Sequence, residues 1–196
     1  PAHRVVVTGL GSVTPCGSDP QSTWEAVVNG RSGCGPLSLF DASNYSVRIA
    51  AEVSEPPLLD GVSPKEVRRM DRCIRFALAA SLQAVEASGL DAEQNAERIG
   101  VAIGSGIGGL ETLTRNQDLL RQKGPKRVSA FTIPMSIANM AGGVVSIHNG
   151  LRGPNLCHVS ACASGAHAIG ESMRTIQRGD ADAMVVGGTE APIVEL

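Results

Sequence analysis

Aromatic side chains, long apolar runs and a strong net charge are all lacking in this sequence. Aromatic residues make up 3% of the chain, with one Trp and one Tyr, so few rings are available for stacking on nucleic acid bases. No run reaches the roughly 18 apolar residues of a membrane-spanning helix. The formal net charge of -2 argues against a broad nucleic-acid-binding surface. We therefore expect neither a nucleic acid nor a membrane as a partner.

Paired cysteines are lacking as well. The cysteines are odd in number and none lies in a CxxC motif, so a disulfide framework is not expected in a chain of 196 residues. Free thiols indicate a reducing compartment, and we expect no signal peptide because the first predicted strand begins almost at the first residue of the sequence. The predicted location is the cytoplasm, or the mitochondrial matrix or plastid stroma if a transit peptide has been removed. The five cysteines are Cys16, Cys34, Cys73, Cys157 and Cys162.

Apolar strands and amphipathic helices alternate along the chain. With 42% hydrophobic and 18% charged residues, the composition is that of a globular protein of one domain, or a large part of a bigger one. The alternation predicts an α/β fold with mostly buried strands. The predicted strands are residues 4–8, 48–53, 99–104, 155–161 and 183–186. The predicted helices are residues 22–29 (with Ser22 as N-cap), 63–88, 110–122, 133–148 and 163–177.

A glycine-rich turn, GSGIGG, follows the predicted strand 99–104. It satisfies GxGxxG at Gly104, Gly106 and Gly109, in the strand-to-helix position that a dinucleotide-binding turn requires. The acidic residue expected about 20 residues further on is missing, since that window holds the basic loop GPKRVSAF. A tight turn where only small residues fit is therefore favoured over a nucleotide site. A third possibility is that the loop walls a ligand channel, with Ile107 as its one bulky side chain.

The segment around Cys162 allows three interpretations. A metal site built from Cys157, His158 and Cys162 is disfavoured, because successive strand residues point to opposite faces and a closed zinc site needs a fourth ligand. A nucleophile is plausible, because Cys162 precedes a helix whose unpaired N–H groups and dipole favour a thiolate. A plain buried cysteine is equally compatible with the residues. His167 lies about 500° further around the same helix, so we expect a structural role for it.

Four segments together resemble one family. RVVVTGLGSVTPCG, GVAIGSGIGGLET, FTIPMSIANMAGGVVSIHNGLRGPN and ACASGAHAIGESMRTIQRGDADAMVVGGTE occur in the order found in β-ketoacyl-acyl-carrier-protein synthases, condensing enzymes of the thiolase superfamily. The resemblance covers the whole chain. It implies that residues 1–196 are the N-terminal β-ketoacyl synthase domain, one half of a duplicated α-β-α-β-α layered fold. The C-terminal half is absent from this chain.

The resemblance implies a covalent mechanism without any cofactor. Cys162 matches the cysteine that takes the acyl group as a thioester, and its backbone N–H matches one half of the oxyanion hole. Ile107 matches a residue that lines the acyl pocket of the elongating, second-type enzymes. The implied reaction is acyl transfer to Cys162, then decarboxylative condensation with malonyl-acyl-carrier protein in fatty acid elongation. The alternatives are a polyketide ketosynthase, another thiolase-fold acyltransferase, or a non-catalytic acyl- or partner-binding half-domain.

The resemblance also implies partners and a missing part of the machinery. Lys65, Arg68 and Arg69 on one predicted helix, and Lys126 and Arg127 in the basic loop, match positions that dock the acyl-carrier protein. From the residues alone they would be a solvated face. The implied substrates are acyl and malonyl thioesters, and the implied assembly of the full-length protein is a homodimer. The two histidines and the lysine that drive condensation in the family have no counterpart here, so this chain alone is not expected to form the carbon–carbon bond.

Overall fold

The structure, a computed structural model, describes residues 4–195. The helices are α1 (Pro20–Val28), α2 (Pro64–Val67), α3 (Arg72–Ser88), α4 (Leu110–Lys123), α5 (Thr132–Ser136), α6 (Met140–His148) and α7 (Ser164–Arg178). The strands are β1 (Cys34–Pro36), β2 (Ile49–Ala51), β3 (Ile99–Gly104), β4 (Asn155–Leu156) and β5 (Ala183–Gly188). Short 3-10 turns lie at Ala96–Arg98 and Pro125–Arg127. The chain is therefore α/β, as the alternating pattern predicts.

A parallel sheet of order β4-β3-β5 forms the centre of the fold. β3 is the middle strand, with Ile99 opposite Ala183 and Gly104 opposite Gly188. β1 and β2 form a separate antiparallel pair. Every residue of β3 is buried, which explains its continuous apolar sequence. Because the three strands run in the same direction, the segments that follow them meet at one edge of the sheet.

Helices cover both faces of this sheet. Ile99, Val101 and Ile103 belong to one buried cluster with residues of α3 and α6. Gly104 instead lies against the backbone of α7 at Ser164. Since successive strand residues point to opposite faces, α3 and α6 lie on one side and α7 on the other. The start of α7 is thereby fixed at the same edge of the sheet as the GSGIGG turn.

The prediction of a buried strand at 4–8 is wrong. Val6 and Val7 are 60% and 80% exposed, and no strand pairs with this segment within residues 4–195. The β-branched residues favour an extended chain, but a strand also needs a neighbour for its backbone hydrogen bonds. The prediction at 155–161 is too long for the same reason, because only Asn155–Leu156 pairs with β3.

The predicted helix 63–88 is interrupted. Ser63 caps α2 in a capping box with Glu66, and Gly89 ends α3 with a φ of 64°, as expected for a helix start and stop. Between them Asp71 leaves the helical conformation and caps α3. Its buried carboxylate also accepts hydrogen bonds from the Thr112 N–H (2.9 Å) and Oγ1 (2.7 Å). The interruption therefore joins α3 to α4.

Other boundaries also differ from the prediction. Asp19, not Ser22, is the N-cap of α1, and Ser22 completes the capping box from inside the helix. The apolar stretch 133–148 is divided into α5 and α6. It is also only partly buried, with Ile133 64% and Ile147 79% exposed. None of the helices within residues 4–195 is both long and apolar enough to cross a membrane.

Candidate active site

The turn from β4 into α7 presents Cys162 on the surface. Cys162 is exposed, and α7 begins two residues later at Ser164. Ala161 has a φ of 50°, the one non-glycine residue with a positive φ among residues 4–195. An L-residue in this left-handed conformation carries a steric cost of about 1–2 kcal/mol. The chain thus makes a sharp elbow immediately before the thiol, as nucleophile turns between a strand and a helix do.

The buried side chain of Ser164 stabilises this elbow through hydrogen bonds. Its buried Oγ accepts a hydrogen bond from the Ser160 N–H (2.9 Å) and donates one to the Ala161 carbonyl oxygen (2.7 Å). The Ser164 N–H also donates to the Ala161 oxygen (3.1 Å). The residues on either side of Cys162 therefore have fixed backbone positions, while the thiol itself stays accessible.

Glycines allow the start of α7 to sit directly on the sheet. A Cβ on Gly104 would lie 2.5 Å from the Ser164 carbonyl oxygen, and one on Gly188 would lie 2.9 Å from the Gly165 Cα. Real Cβ atoms do not approach backbone atoms so closely, so only glycine fits. These close backbone contacts at the two glycines therefore fix the distance between Cys162 and the sheet.

The surroundings of Cys162 suit an attack on a carbonyl group. Within residues 4–195 no oxygen accepts a hydrogen bond from the Cys162 backbone N–H. This donor is available to a developing oxyanion, and the amino-terminal dipole of α7 favours negative charge there. The small side chains of Ala161, Ala163 and Gly165 leave room for a substrate.

His167 is bonded to another side chain. Its Nδ1 lies 2.6 Å from the Ser160 Oγ, a hydrogen bond that spans the elbow from the first turn of α7. This contact agrees with the structural role expected from its position on the helix. The Ser160–His167 pair was not expected from the sequence, because the two residues become neighbours only through the turn at Ala161.

Cys157 and Cys73 have surroundings different from those of Cys162. Burial raises the pKa of Cys157, which is half-buried. Burial, with a further contribution from the Asp71 carboxylate, raises the pKa of Cys73 far above its ordinary value. Both thiols are thus kept protonated. All five cysteines are free, and within residues 4–195 no cluster of three or more His, Cys, Asp or Glu side chains could hold a metal ion.

The GSGIGG turn lies directly beside the elbow. Gly108 has a φ of 79°, and the Gly106 backbone approaches Ala161 so closely that a Cβ on Gly106 would be 3.3 Å from the Ala161 Cα. The Gly106 and Ile107 N–H groups both donate to the carboxylate of Glu190. The donors that a nucleotide phosphate would use are therefore occupied, which supports the tight-turn interpretation. Ile107 is 51% exposed at the surface of this turn.

The five basic residues assigned to docking lie on two adjoining segments. Lys65, Arg68 and Arg69 belong to α2 and the turn after it, whereas Lys126 and Arg127 belong to the 3-10 turn after α4. The Arg69 guanidinium stacks 4.0 Å above the ring of Phe131, so Arg69 lies close to the part of the chain that follows Arg127. All five side chains are exposed, and none forms an ion pair within the described part of the chain.

The chain resembles known proteins over nearly its whole length. The family model described as "Beta-ketoacyl synthase, N-terminal domain" matches residues 2–196. A 3-oxoacyl-acyl-carrier-protein synthase 2 of Synechocystis sp. is 50% identical over 98% of this chain and 47% of its own length. The chain therefore spans about half the length of the curated relatives it matches.

Solved structures share the fold. A β-ketoacyl synthase from Burkholderia phymatum is 28% identical with a TM-score of 0.78, covering 91% of this chain and 44% of that one. The ishigamide ketosynthase/chain length factor is 25% identical with a TM-score of 0.82, covering 97% of this chain and 48% of that one.

Proposed function

The chain belongs to the β-ketoacyl synthase family as its N-terminal domain, and from this we infer that it supplies the acyl-accepting half of a 3-oxoacyl-acyl-carrier-protein synthase. The observation that carries the proposal is the exposed thiol of Cys162 on a strained elbow between β4 and α7. The relatives named 3-oxoacyl-acyl-carrier-protein synthase 2, at 48–50% identity, support the elongating type of enzyme.

The first half-reaction uses groups of this chain. The Cys162 thiolate attacks the thioester carbonyl carbon of an acyl-carrier protein, and a new carbon–sulfur bond forms. The negative charge that develops on the carbonyl oxygen is stabilised by the Cys162 N–H and by the amino end of α7. The old carbon–sulfur bond breaks, and the carrier thiolate leaves and takes up a proton equivalent to the one that the Cys162 thiol lost on becoming the attacking thiolate. The acyl group then remains on Cys162 as a thioester.

The second half-reaction needs groups that this chain does not contain. Malonyl-carrier protein loses CO2 to give an enolate, which attacks the acyl carbon and expels the Cys162 thiolate. The family's two histidines and lysine, which assist this step, would be contributed by the remainder of the complete protein. Ile147, Ile169 and Met173 are exposed apolar side chains. In the complete protein such side chains would be covered by that half or by a second subunit of the proposed homodimer.

The proposed carrier-docking surface consists of the five exposed basic residues of α2, the turn after it and the 3-10 turn after α4. None of the five forms an ion pair within residues 4–195, although the nearby charge of Arg69 helps to lower the pKa of the Glu66 carboxylate in α2. An acidic carrier protein would be steered and oriented by such a patch. The members of the patch are Lys65, Arg68, Arg69, Lys126 and Arg127.

The experiment that tests this function is a condensation assay on the complete protein. With acyl- and malonyl-carrier proteins we expect CO2 release and a β-ketoacyl product. The variant Cys162→Ala should lower the rate by about a thousandfold or more, as loss of a nucleophile does. The matched variant Cys34→Ala, which removes another exposed thiol, should keep the wild-type rate. Absence of product from the wild-type protein, or full activity of Cys162→Ala, would refute the proposal.

A further inference from the structure

We propose that Glu190 is a positioning residue for this site: its carboxylate holds the GSGIGG turn against the elbow and so fixes Ile107 beside the acyl chain on Cys162. The inference rests on the proposed function and deepens it, because it concerns the selection of the acyl chain at the same site. Glu190 lies 83 residues or more along the chain from its partners in the turn.

Both carboxylate oxygens of Glu190 are engaged by the turn. Oε2 accepts hydrogen bonds from the Gly106 N–H (2.6 Å) and the Ile107 N–H (3.3 Å). Oε1 accepts one from the Ser105 Oγ (3.2 Å). Hydrogen bonds to an ionised acceptor are stronger than those between neutral groups. The carboxylate thus takes the place that an anionic ligand would occupy in a glycine-rich turn.

The backbone that carries Glu190 is itself anchored. The preceding residue, Thr189, donates from its N–H to the Gly104 carbonyl oxygen (3.0 Å) and from its Oγ1 to the Cys73 carbonyl oxygen (2.6 Å). These bonds tie the end of β5 to β3 and to α3. Glu190 therefore reaches the turn from a rigid base, which is the condition for a side chain to fix its neighbours.

Gly106 connects the carboxylate with the elbow. A Cβ placed on Gly106 would lie 2.9 Å from the Glu190 Oε2 and 3.3 Å from the Ala161 Cα. Gly106 is thus held between the carboxylate and the strained residue that precedes Cys162. Ile107 follows immediately, so its position relative to the thiol depends on the same contact. A glycine-rich turn has no side-chain packing of its own to keep this geometry, because glycine permits many backbone conformations.

The test compares Glu190→Ala and Glu190→Gln in the complete protein. The rate of Cys162 acylation is measured by mass spectrometry with hexanoyl- and tetradecanoyl-carrier protein, and thermal unfolding is recorded for each variant. Glu190→Ala removes the oxygen atoms that accept the hydrogen bonds of the GSGIGG turn. We therefore expect slower acylation, and a change of about tenfold in the ratio of the hexanoyl to the tetradecanoyl rate. Gln keeps an oxygen for the two N–H groups and an NH2 group for Ser105, so it should retain the wild-type ratio.

The ratio distinguishes positioning from a general loss of structure. A variant that is merely destabilised loses both rates by the same factor, and that outcome would overturn the proposal, as would an unchanged ratio in Glu190→Ala. Glu93→Gln, which alters an exposed carboxylate remote from the sheet edge, is the control and should match the wild type. If the wild-type protein forms no adduct on Cys162, the proposed function has failed, which is a different result from an adduct with an insensitive ratio.

Discussion

At the scale of single residues, Ala161 bears the steric cost of the elbow. Its φ of 50° is a conformation that glycine adopts freely and a β-branched residue adopts only with considerable strain. We expect Ala161→Gly to keep Cys162 acylation within about threefold of the wild type, since relief of about 1 kcal/mol of strain offsets the added chain entropy. Ala161→Val should lower both the melting temperature and the acylation rate, because strain of about 1–3 kcal/mol is added.

A comparison of Ala161→Val with a second valine variant separates the effect of the positive φ from the effect of added side-chain bulk. A variant that adds comparable bulk at a residue of ordinary φ beside the elbow, Ala163→Val, provides the comparison, because Ala163 has a φ of -86°. Equal losses of melting temperature in Ala161→Val and Ala163→Val would show that the positive φ is not the cause.

The thiols should differ in their response to pH. The thiolate is the reactive form, and burial raises the pKa values of Cys157 and Cys73. At about pH 8 these two thiols are protonated, so iodoacetamide should label them slowly in the folded protein. Labelling of Cys157 should rise by about tenfold per pH unit below its pKa, because the thiolate fraction rises in that proportion.

Peptide mass spectrometry of the labelled protein checks this prediction. Cys34, an exposed thiol away from the elbow, serves as the internal control and should be labelled early. In denaturant all five cysteines should react at similar rates. Rapid labelling of Cys157 in the native protein at about pH 8 would contradict the burial that the structure gives it.

Residue-level features were predictable only where they are local. The position of Cys162 between a strand and a helix follows from the pattern of neighbouring residues. The positive φ of Ala161 does not, because alanine has no preference for that conformation and no glycine marks the site. The Glu190 contact to the GSGIGG turn was also missed, since its partners are distant in sequence and the glycine motif suggested an external anion.

At the scale of elements, the packing of α7 on the sheet decides where Cys162 sits. Gly104→Ala would place a Cβ 2.5 Å from the Ser164 carbonyl oxygen, so α7 must shift or the sheet must deform. We expect a destabilisation of about 1–3 kcal/mol, typical of overpacking, and slower acylation. Thermal unfolding and the acylation rate measure the two effects.

Gly35→Ala is the matched control for this prediction. Gly35 lies in β1, and a Cβ there would meet no atom within 4 Å. The control should therefore keep the wild-type acylation rate. A Gly104→Ala protein with an unchanged melting temperature and rate would mean that α7 is not held by this close approach.

Elements with strong internal patterns were predicted well, and those that depend on partners were not. β3, α4 and α7 match their predicted segments closely, because each has an uninterrupted apolar or amphipathic pattern and clear end signals. The segment 63–88 has a continuous helical pattern, yet Asp71 interrupts it to bond Thr112, a contact between α3 and α4 that no local rule reveals. The strand predicted at 4–8 does not form, because a strand needs a neighbouring strand for its backbone hydrogen bonds.

At the scale of the whole molecule, the proposed carrier-docking surface should affect the use of carrier-bound substrates. Reversing the charges of Arg68 and Arg69 to Glu should weaken the use of acyl-carrier protein by about tenfold or more at low salt. The effect should shrink as salt is added, because exposed charges are screened. Use of a small thioester analogue should change little, since the analogue has no carrier protein to bind the carrier-docking surface. Steady-state kinetics with both substrates measure the difference.

Arg152→Glu is the charge-matched control, because this exposed residue lies at the opposite end of β4 from the elbow. It should leave both substrates unaffected. Equal losses on carrier-bound and small substrates in the Arg68 and Arg69 variant would contradict docking and leave a general structural effect as the explanation.

Acylation of Cys162 by carrier-bound acyl groups can be measured on the complete protein. The complete protein is incubated with an acyl-carrier protein in the absence of malonyl substrate, digested at mildly acidic pH and mapped by mass spectrometry. We expect one acyl group per chain, found as a thioester on the peptide that contains Cys162 and absent from Cys162→Ala. An acyl group on Cys34 or Cys157 instead, or adduct formation that survives in Cys162→Ala, would contradict it.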